Sequence, residues 1–215
     1  MSDERWATFD CYGTLIDWNG GIRGVLARLF GEARADELLA RYHELEPALQ
    51  SAEPTATYRE VMARALEALG APAEERDALG RALPSWRVFP EVPAALREAR
   101  ARGWCLCILS NTDRDLLDAS LETIGVPFDR SIVASEIGSY KPAHGHWRAF
   151  EREIGRLPDV HVAASLFHDI APGRELGLPT VWINRLAEPA EPEPARELAD
   201  LSGLPDALDE LAPRR

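Results

Sequence analysis

Lysine is almost missing from this sequence. Of its 24 lysines and arginines, 23 are arginine, and the exception is Lys141 in GSYKPAHG. An ammonium is a compact charge and a guanidinium a flat fork, so neither replaces the other at a tight site. The place of the single lysine is therefore a pointer. Cysteine is scarce as well: Cys11, Cys105 and Cys107 are odd in number, and two of them alternate within one apolar run. That excludes a disulfide framework and zinc-ligand spacing. No charged-then-apolar leader opens the chain and no long apolar run follows, so the expectation is a reduced, cytoplasmic protein with no membrane partner. Basic stretches interleaved with aromatics are absent, and the net charge is −12. Nucleic acid and anionic membranes are excluded as partners of the surface as a whole. An anionic small molecule would need a local positive pocket.

What is present suits a soluble enzyme-sized core. The chain has 215 residues, 46% hydrophobic and 28% charged, enough for one large domain with a smaller insert. After a first strand at WATFD, residues 20–86 are rich in Leu, Ala, Arg and Glu at helical spacing with no strand-like run. Within it, ADELLARYHELEPALQ is expected to be a helix until Pro47 interferes. Beyond it, strands (WCLCILSN, SIVAS, DVHVAASLFHD, PTVWIN) alternate with helices (VPAALREARARG, DRDLLDASLETIG, HWRAFEREIG, APGRELG). That alternation predicts an α/β fold, a Rossmann-like parallel sheet covered on both faces. The helical stretch interrupts it as an inserted all-helical cap. The expected division is a core of 1–17 and 88–215 with a cap of 18–87. The proline- and glutamate-rich run at 187–197 reads as an exposed connection.

In such a sheet, ligands sit beyond the carboxyl ends of the strands. Asp10 ends the first strand, Ser110 and Asn111 end CLCIL, Lys141 follows IVAS by a few residues, and Asp169 ends VAASLFH. Separate strand ends thus deliver two acids, a hydroxyl and amide pair, and the lone lysine to one place. Asp10 has no Ser-His or Cys-His arrangement to serve as base for, so it is a candidate nucleophile. The Gly13-Thr14 turn surrounds it with N–H groups and a hydroxyl, and Lys141 would favour its charged form. Ser110 and Asn111 can donate to an anionic substrate group. Asp169 can hold a water, a metal or Lys141.

The runs FDCYGTLID, LSNT, YKP and HDIAPGRELGLPTVWINR resemble the four motifs of the haloacid dehalogenase superfamily. The resemblance spans almost the whole chain and implies a Rossmann-like core, an inserted cap and an aspartyl-enzyme mechanism with Asp10 attacking. Phosphatases of the superfamily carry an Asp two places after the nucleophile, where this chain has Tyr12. They also carry an acidic pair near the fourth strand, where Ala164 replaces the first acid. A magnesium-dependent phosphatase with a reduced metal site is thus the weaker alternative, and a catalytically idle binding relative is another.

The DxYGT pattern instead is similar to the 2-haloacid dehalogenases, which use no cofactor. That likeness implies hydrolytic halide displacement from a small 2-haloalkanoic acid. Asp10, Thr14, Ser110, Asn111, Lys141 and Asp169 match that branch, and Arg41 matches a cap residue that contacts the substrate carboxylate or departing halide. Trp147 stands where the branch has a tyrosine near the site, and Tyr12 and Trp147 are expected at the substrate. Ala164 and Leu166 replace a serine and an asparagine beside the fourth strand. The family also leaves a homodimer open. Among the remaining residues, Asp17 is expected to shape the hinge, and His144 and His146 to lie at the surface. His43 and His161 carry no signal, His168 supports Asp169, and Leu45, Tyr58 and Trp86 are expected to pack the cap, with lining of the substrate pocket as the lesser alternative.

Overall fold

Short runs of β-branched and aromatic residues form the sheet of this protein, which a computed structural model describes from residue 4 to residue 214. β1 (Arg5–Phe9), β2 (Trp104–Ser110), β4 (Val160–Ala163) and β5 (Thr180–Ile183) are buried along nearly their whole length. Strands covered on both faces read as continuous apolar runs rather than alternating ones. β3 (Arg130–Val133) and β6 (Arg196–Leu198) close the two edges with arginine and glutamate facing solvent.

All pairings are parallel and the strand order is β3-β2-β1-β4-β5-β6. The chain winds outward from β1 to β3, then returns to place β4 on the other side of β1. The order reverses between β1 and β4, so a crevice lies beyond the carboxyl ends of those two strands. The crossovers are α5 (Val92–Ala101), α6 (Arg114–Ile124), the short α7 (Ala134–Ile137), α8 (Gly145–Ile154) and α9 (Ala171–Glu175), and α10 (Leu204–Leu211) ends the described chain. None of the described helices is long and apolar enough to cross a membrane.

Between β1 and α5 the chain makes no sheet strand. It runs through α1 (Trp18–Phe30), α2 (Ala35–Ala52), α3 (Tyr58–Ala68) and α4 (Ala78–Ala82). The outgoing and returning segments pair with each other: Asp17 N donates to Arg87 O at 2.8 Å and Phe89 N to Leu15 O at 3.1 Å. Asp17 caps α1 by accepting from Gly20 N. Gly21 permits the next contact, because a Cβ there would stand 2.4 Å from the Trp86 ring. The α1 backbone rests on that indole.

Three expectations need correction. Pro47 does not end α2, which runs on to Ala52; the proline leaves the His43 carbonyl without its helical donor, and both residues border the central cavity. The 187–197 run is not wholly a connection, since Arg196 and Glu197 begin β6, a strand too polar to show an apolar signal. Asp169 does not end a strand either. β4 stops at Ala163, and Asp169 sits in a single wide helical turn, Leu166–Ile170.

Asp113 ties the helical insert to the sheet. Its carboxylate accepts from Tyr58 N at 2.8 Å and Arg59 N at 3.0 Å, two first-turn donors of α3 that no helical carbonyl can reach. Asp113→Ala should lower unfolding free energy by about 2 kcal/mol, since it removes a cap and strands a buried N–H. Urea unfolding reads this directly, and an unchanged midpoint would refute it.

Candidate active site

Asp10 follows β1 directly, and its N–H still pairs with Val162 O across to β4 at 3.0 Å. The chain then turns sharply: Leu15 N reaches back to Cys11 O at 2.7 Å, with Gly13 at φ 89°. Side chains other than glycine rarely adopt that angle. The turn brings Thr14 under the carboxylate, where Oγ1 donates to Asp10 Oδ2 at 2.8 Å and accepts from Ala164 N at 2.9 Å. One carboxylate oxygen is thereby fixed.

Lys141 fixes the other. Its Nζ donates to Asp10 Oδ1 at 2.9 Å, Asp169 Oδ1 at 2.6 Å and Leu109 O at 2.8 Å, so all three ammonium protons are engaged. The segment carrying Lys141 has no regular structure of its own, and Asn111 holds it from both sides. Asn111 Nδ2 donates to Lys141 O at 3.0 Å and Oδ1 accepts from Lys141 N at 2.7 Å. Behind Asp169, His161 Nε2 donates to the same Oδ1 at 2.9 Å while Nδ1 meets the Thr8 hydroxyl at 2.8 Å. A buried chain of polar groups thus runs from β1 through β4 to Asp10.

The two acids are placed in different fields. Burial lifts Asp10 above the usual carboxylate range; Lys141 pulls it down, while the negative charge of Asp169 pushes it up again. Asp169 is also buried, but Lys141 and His161 outweigh that and hold it well below its ordinary value. Burial works against the Lys141 charge too, yet the two carboxylates together raise it. One acid is therefore a firm counter-ion and the other a destabilised anion. The Asp169 Oδ2 and Ser110 Oγ atoms are buried without a hydrogen-bond partner.

These groups line a cavity of about 530 Å³ between the strand ends and the helical insert. Its insert side is aromatic. The Tyr12 ring stacks on Tyr58 at 6.5 Å, and Trp18 Nε1 donates to the Tyr58 hydroxyl at 3.0 Å. Tyr12 presents its ring only, since its hydroxyl turns away to Ser120 at 3.0 Å. Tyr58 lines the cavity as well, which is the lesser of the two expectations for it.

The structure brings Asp10, Tyr12, Thr14, Ser110, Asn111, Lys141 and Asp169 together, and leaves two expected residues out. Arg41 lies on the exposed face of α2 beside Glu44, its side chain 65% accessible, and does not border the cavity. Trp147 is wholly buried in the second hydrophobic cluster, edge-on to His161 at 5.2 Å, so it supports that imidazole and meets no ligand. His146 is not at the surface: it is buried, donates to Ser110 O at 3.0 Å, and burial lowers it to about 3. His144 is half-buried against Glu175.

Three contributors went unread. His161 sits mid-strand, where a polar residue on a buried run was itself the signal. Arg185 follows β5 and so obeys the same strand-end rule as Asp10; it donates to Thr14 O at 2.8 Å and Glu91 Oε1 at 2.7 Å, with its guanidinium over Phe89. Glu46 occupies the buried stripe of α2 with Leu38, Tyr42 and Gln50 at four-residue spacing, and it borders the cavity.

The donor set does not suit magnesium, which takes near-octahedral oxygen ligands. Among the described residues no group of three or more His, Cys, Asp or Glu is placed to hold a metal. Asp10 and Asp169 already share Lys141, and Ala164 contributes no side-chain oxygen.

A family model for haloacid dehalogenase-like hydrolases matches residues 5–166. The chain is 30% identical to (S)-2-haloacid dehalogenase 1 of Pseudomonas sp. (strain CBS-3), covering 97% of this chain and 98% of the relative. It is 31% identical to a phosphoserine phosphatase of Thermus thermophilus, over 80% of this chain and 72% of that one. The crystal structure of the L-2-haloacid dehalogenase from Xanthobacter autotrophicus superposes with a TM-score of 0.80 at 20% identity, covering 97% of this chain and all of that one.

Proposed function

This chain belongs to the haloacid dehalogenase-like hydrolase family, and we propose that it hydrolyses small 2-haloalkanoic acids through an ester on Asp10. The observation that carries the reading is the setting of Asp10. Its two oxygens are fixed by Thr14 and Lys141 on the wall of the cavity. Its negative charge is also left less stabilised than that of its neighbour Asp169. A carboxylate pinned in this way attacks without losing orientational freedom at the moment of reaction.

In the first step an Asp10 oxygen bonds to carbon 2 of the substrate as the carbon–halogen bond breaks, and halide leaves with the electron pair. In the second step water adds to the Asp10 carboxyl carbon and the acyl–oxygen bond breaks. That step releases a 2-hydroxy acid and one proton and regenerates the carboxylate. Asp169, on the same cavity wall, is the carboxylate that accepts from this water. The Lys141 ammonium keeps Asp10 ionised before the first step and compensates the charge that collects on the carboxyl oxygen when water adds in the second.

The test is a single turnover of 2-chloropropanoate in ¹⁸O-labelled water with excess enzyme. Label is expected in the Asp10 carboxylate, located by peptide mass spectrometry, and activity is expected to survive chelation. Label appearing only in the product would remove the ester. A phosphatase activity lost in chelator and restored by magnesium would replace this reading with its rival.

A further inference from the structure

The turn that carries Asp10 has a carbonyl its own backbone leaves unused. Between Cys11 and Ile16, Leu15 N and Ile16 N both donate to Cys11 O, and Gly13 N donates to Ile16 O. Thr14 O enters none of these bonds, although Thr14 is wholly buried. Among the described residues its donor is Arg185 Nη2, at 2.8 Å and 171 positions further along the chain. A buried carbonyl rarely goes without a donor, so this bond fixes how the Thr14 peptide lies. The side chain of the same residue holds the nucleophile, since Thr14 Oγ1 donates to Asp10 Oδ2 at 2.8 Å.

We infer that Arg185 is a positioning residue for Asp10, acting through the Thr14 carbonyl and tying the nucleophile's turn to the arm that returns from the helical insert. The inference rests on the proposed role of Asp10 and names the group that orients it. Arg185 lies just past β5 and borders the cavity, with its side chain 15% accessible. The other Nη2 proton goes to Glu91 Oε1 at 2.7 Å, immediately before α5. The guanidinium carbon lies 3.5 Å from the centre of the Phe89 ring, and Phe89 N donates in turn to Leu15 O at 3.1 Å. One guanidinium thus joins the end of β5, the turn under Asp10 and the returning arm. A flat cation can stack on a ring while its edge donates in plane; an ammonium has no such face.

The side chains that act on the Asp10 carboxylate are Lys141, Thr14 and Asp169. Lys141 and the Thr14 hydroxyl donate to it and favour the anion, whereas the Asp169 charge opposes it. Cutting the Arg185 bond frees the Thr14 peptide to rotate, and its hydroxyl then leaves Asp10 Oδ2. The carboxylate loses one of its two donors and the orientation that donor imposes. Asp10 should therefore ionise at higher pH and attack more slowly. A residue that only stabilised the fold would lower the melting temperature and leave both properties unchanged in the molecules that remain folded.

The experiment follows Asp10 by its ¹³C carboxyl resonance in the aspartate-labelled protein, identified as the signal missing from Asp10→Asn. Arg185→Ala should raise its titration midpoint by at least about half a pH unit relative to the native protein. With 2-chloropropanoate, kcat should fall about 30- to 100-fold and KM stay within about threefold, because a shift of about 1 Å costs about two decades. Free guanidinium at about 20 mM, far below denaturing levels, should refill the vacated place and recover at least about fivefold of that loss. Sodium chloride at the same concentration should recover nothing. Arg185→Ala leaves the Glu91 charge unpaired, so Arg185→Ala combined with Glu91→Gln is measured beside it and should show the same three effects. An unmoved Asp10 titration in both variants would overturn the inference, as would a rate loss that guanidinium does not relieve. The carboxyl titration needs no substrate, so the two readings fail separately. If the native protein hydrolysed no 2-haloacid while the titration moved, the substrate assignment would fall and this inference would stand. An Asp10 ester with an unmoved titration removes this inference alone.

Discussion

Asp10→Asn should reduce turnover by at least about 10⁴-fold while leaving the protein as stable as before, or more so. The rate loss follows from chemistry. A neutral amide does not displace a leaving group from carbon, and four decades correspond to about 5 kcal/mol of lost transition-state stabilisation. The stability follows from the sign of the Asp10 shift. Its pKa is higher in the folded protein than in the unfolded chain, so the folded state binds more protons between those two values. Stability then falls as pH rises through that window, and at neutral pH the buried charge is a net cost. An isosteric amide removes the cost, keeps the Thr14 contact and leaves Lys141 its bond to Asp169. Stored destabilisation of this kind is common where activity needs it. In the native enzyme the same shift sets the acid limb of kcat/KM above the range of an ordinary carboxylate, because Asp10 must be ionised to attack. Thermal unfolding and product chromatography check both halves. Retained turnover would end the nucleophile assignment, and a large drop in melting temperature would show that Asp10 is a structural anion.

The alternation of strand and helix, and the acids and hydroxyls that end strands, were legible because they are local. Each β-branched run announces a buried strand, and a polar residue at its end conflicts with burial unless something uses it. What the sequence hid depends on how helices are rotated and how long turns run. Arg41 and Glu46 are five residues apart on α2, on different faces, and only the docking of α2 on α1 and α3 decides which one meets the cavity. Had the stripe Leu38, Tyr42, Glu46, Gln50 been followed, the acid would have appeared on the buried face. Asp169 lay six residues past β4 because a wide helical turn absorbs the excess, and no composition signal distinguishes that turn from strand. Trp147 was misplaced for a related reason. Matching a motif gives a position along the chain, but an indole is too large to share a site with His161 and packs behind it instead.

Lys141→Arg should lower kcat at least tenfold although the charge is kept. Lys141 is 1% exposed, and its three protons leave along three directions, to two carboxylates and to the Leu109 carbonyl. A guanidinium is planar and larger, and its donors lie in one plane. It cannot meet that pyramidal set without moving Asp10, Asp169 or the end of β2. Displacing Asp10 from its Thr14-fixed orientation by even 1 Å is enough to cost about two decades in rate. Weaker contact with the cation also leaves Asp10 less well compensated, so the acid limb of the pH profile should move to higher pH in the variant. Lys141→Met goes further by leaving two buried carboxylates without a cation, and should destabilise the fold by about 3–5 kcal/mol. The arginine variant separates geometry from charge, and the methionine variant measures the charge itself. Because the chain has no other lysine, amine-reactive labelling followed by mass spectrometry reports on this one side chain. In the native protein it should stay unlabelled until unfolding. Full activity in Lys141→Arg, with an unmoved acid limb, would show that any buried cation serves and that the rarity of lysine in this chain is an accident of composition.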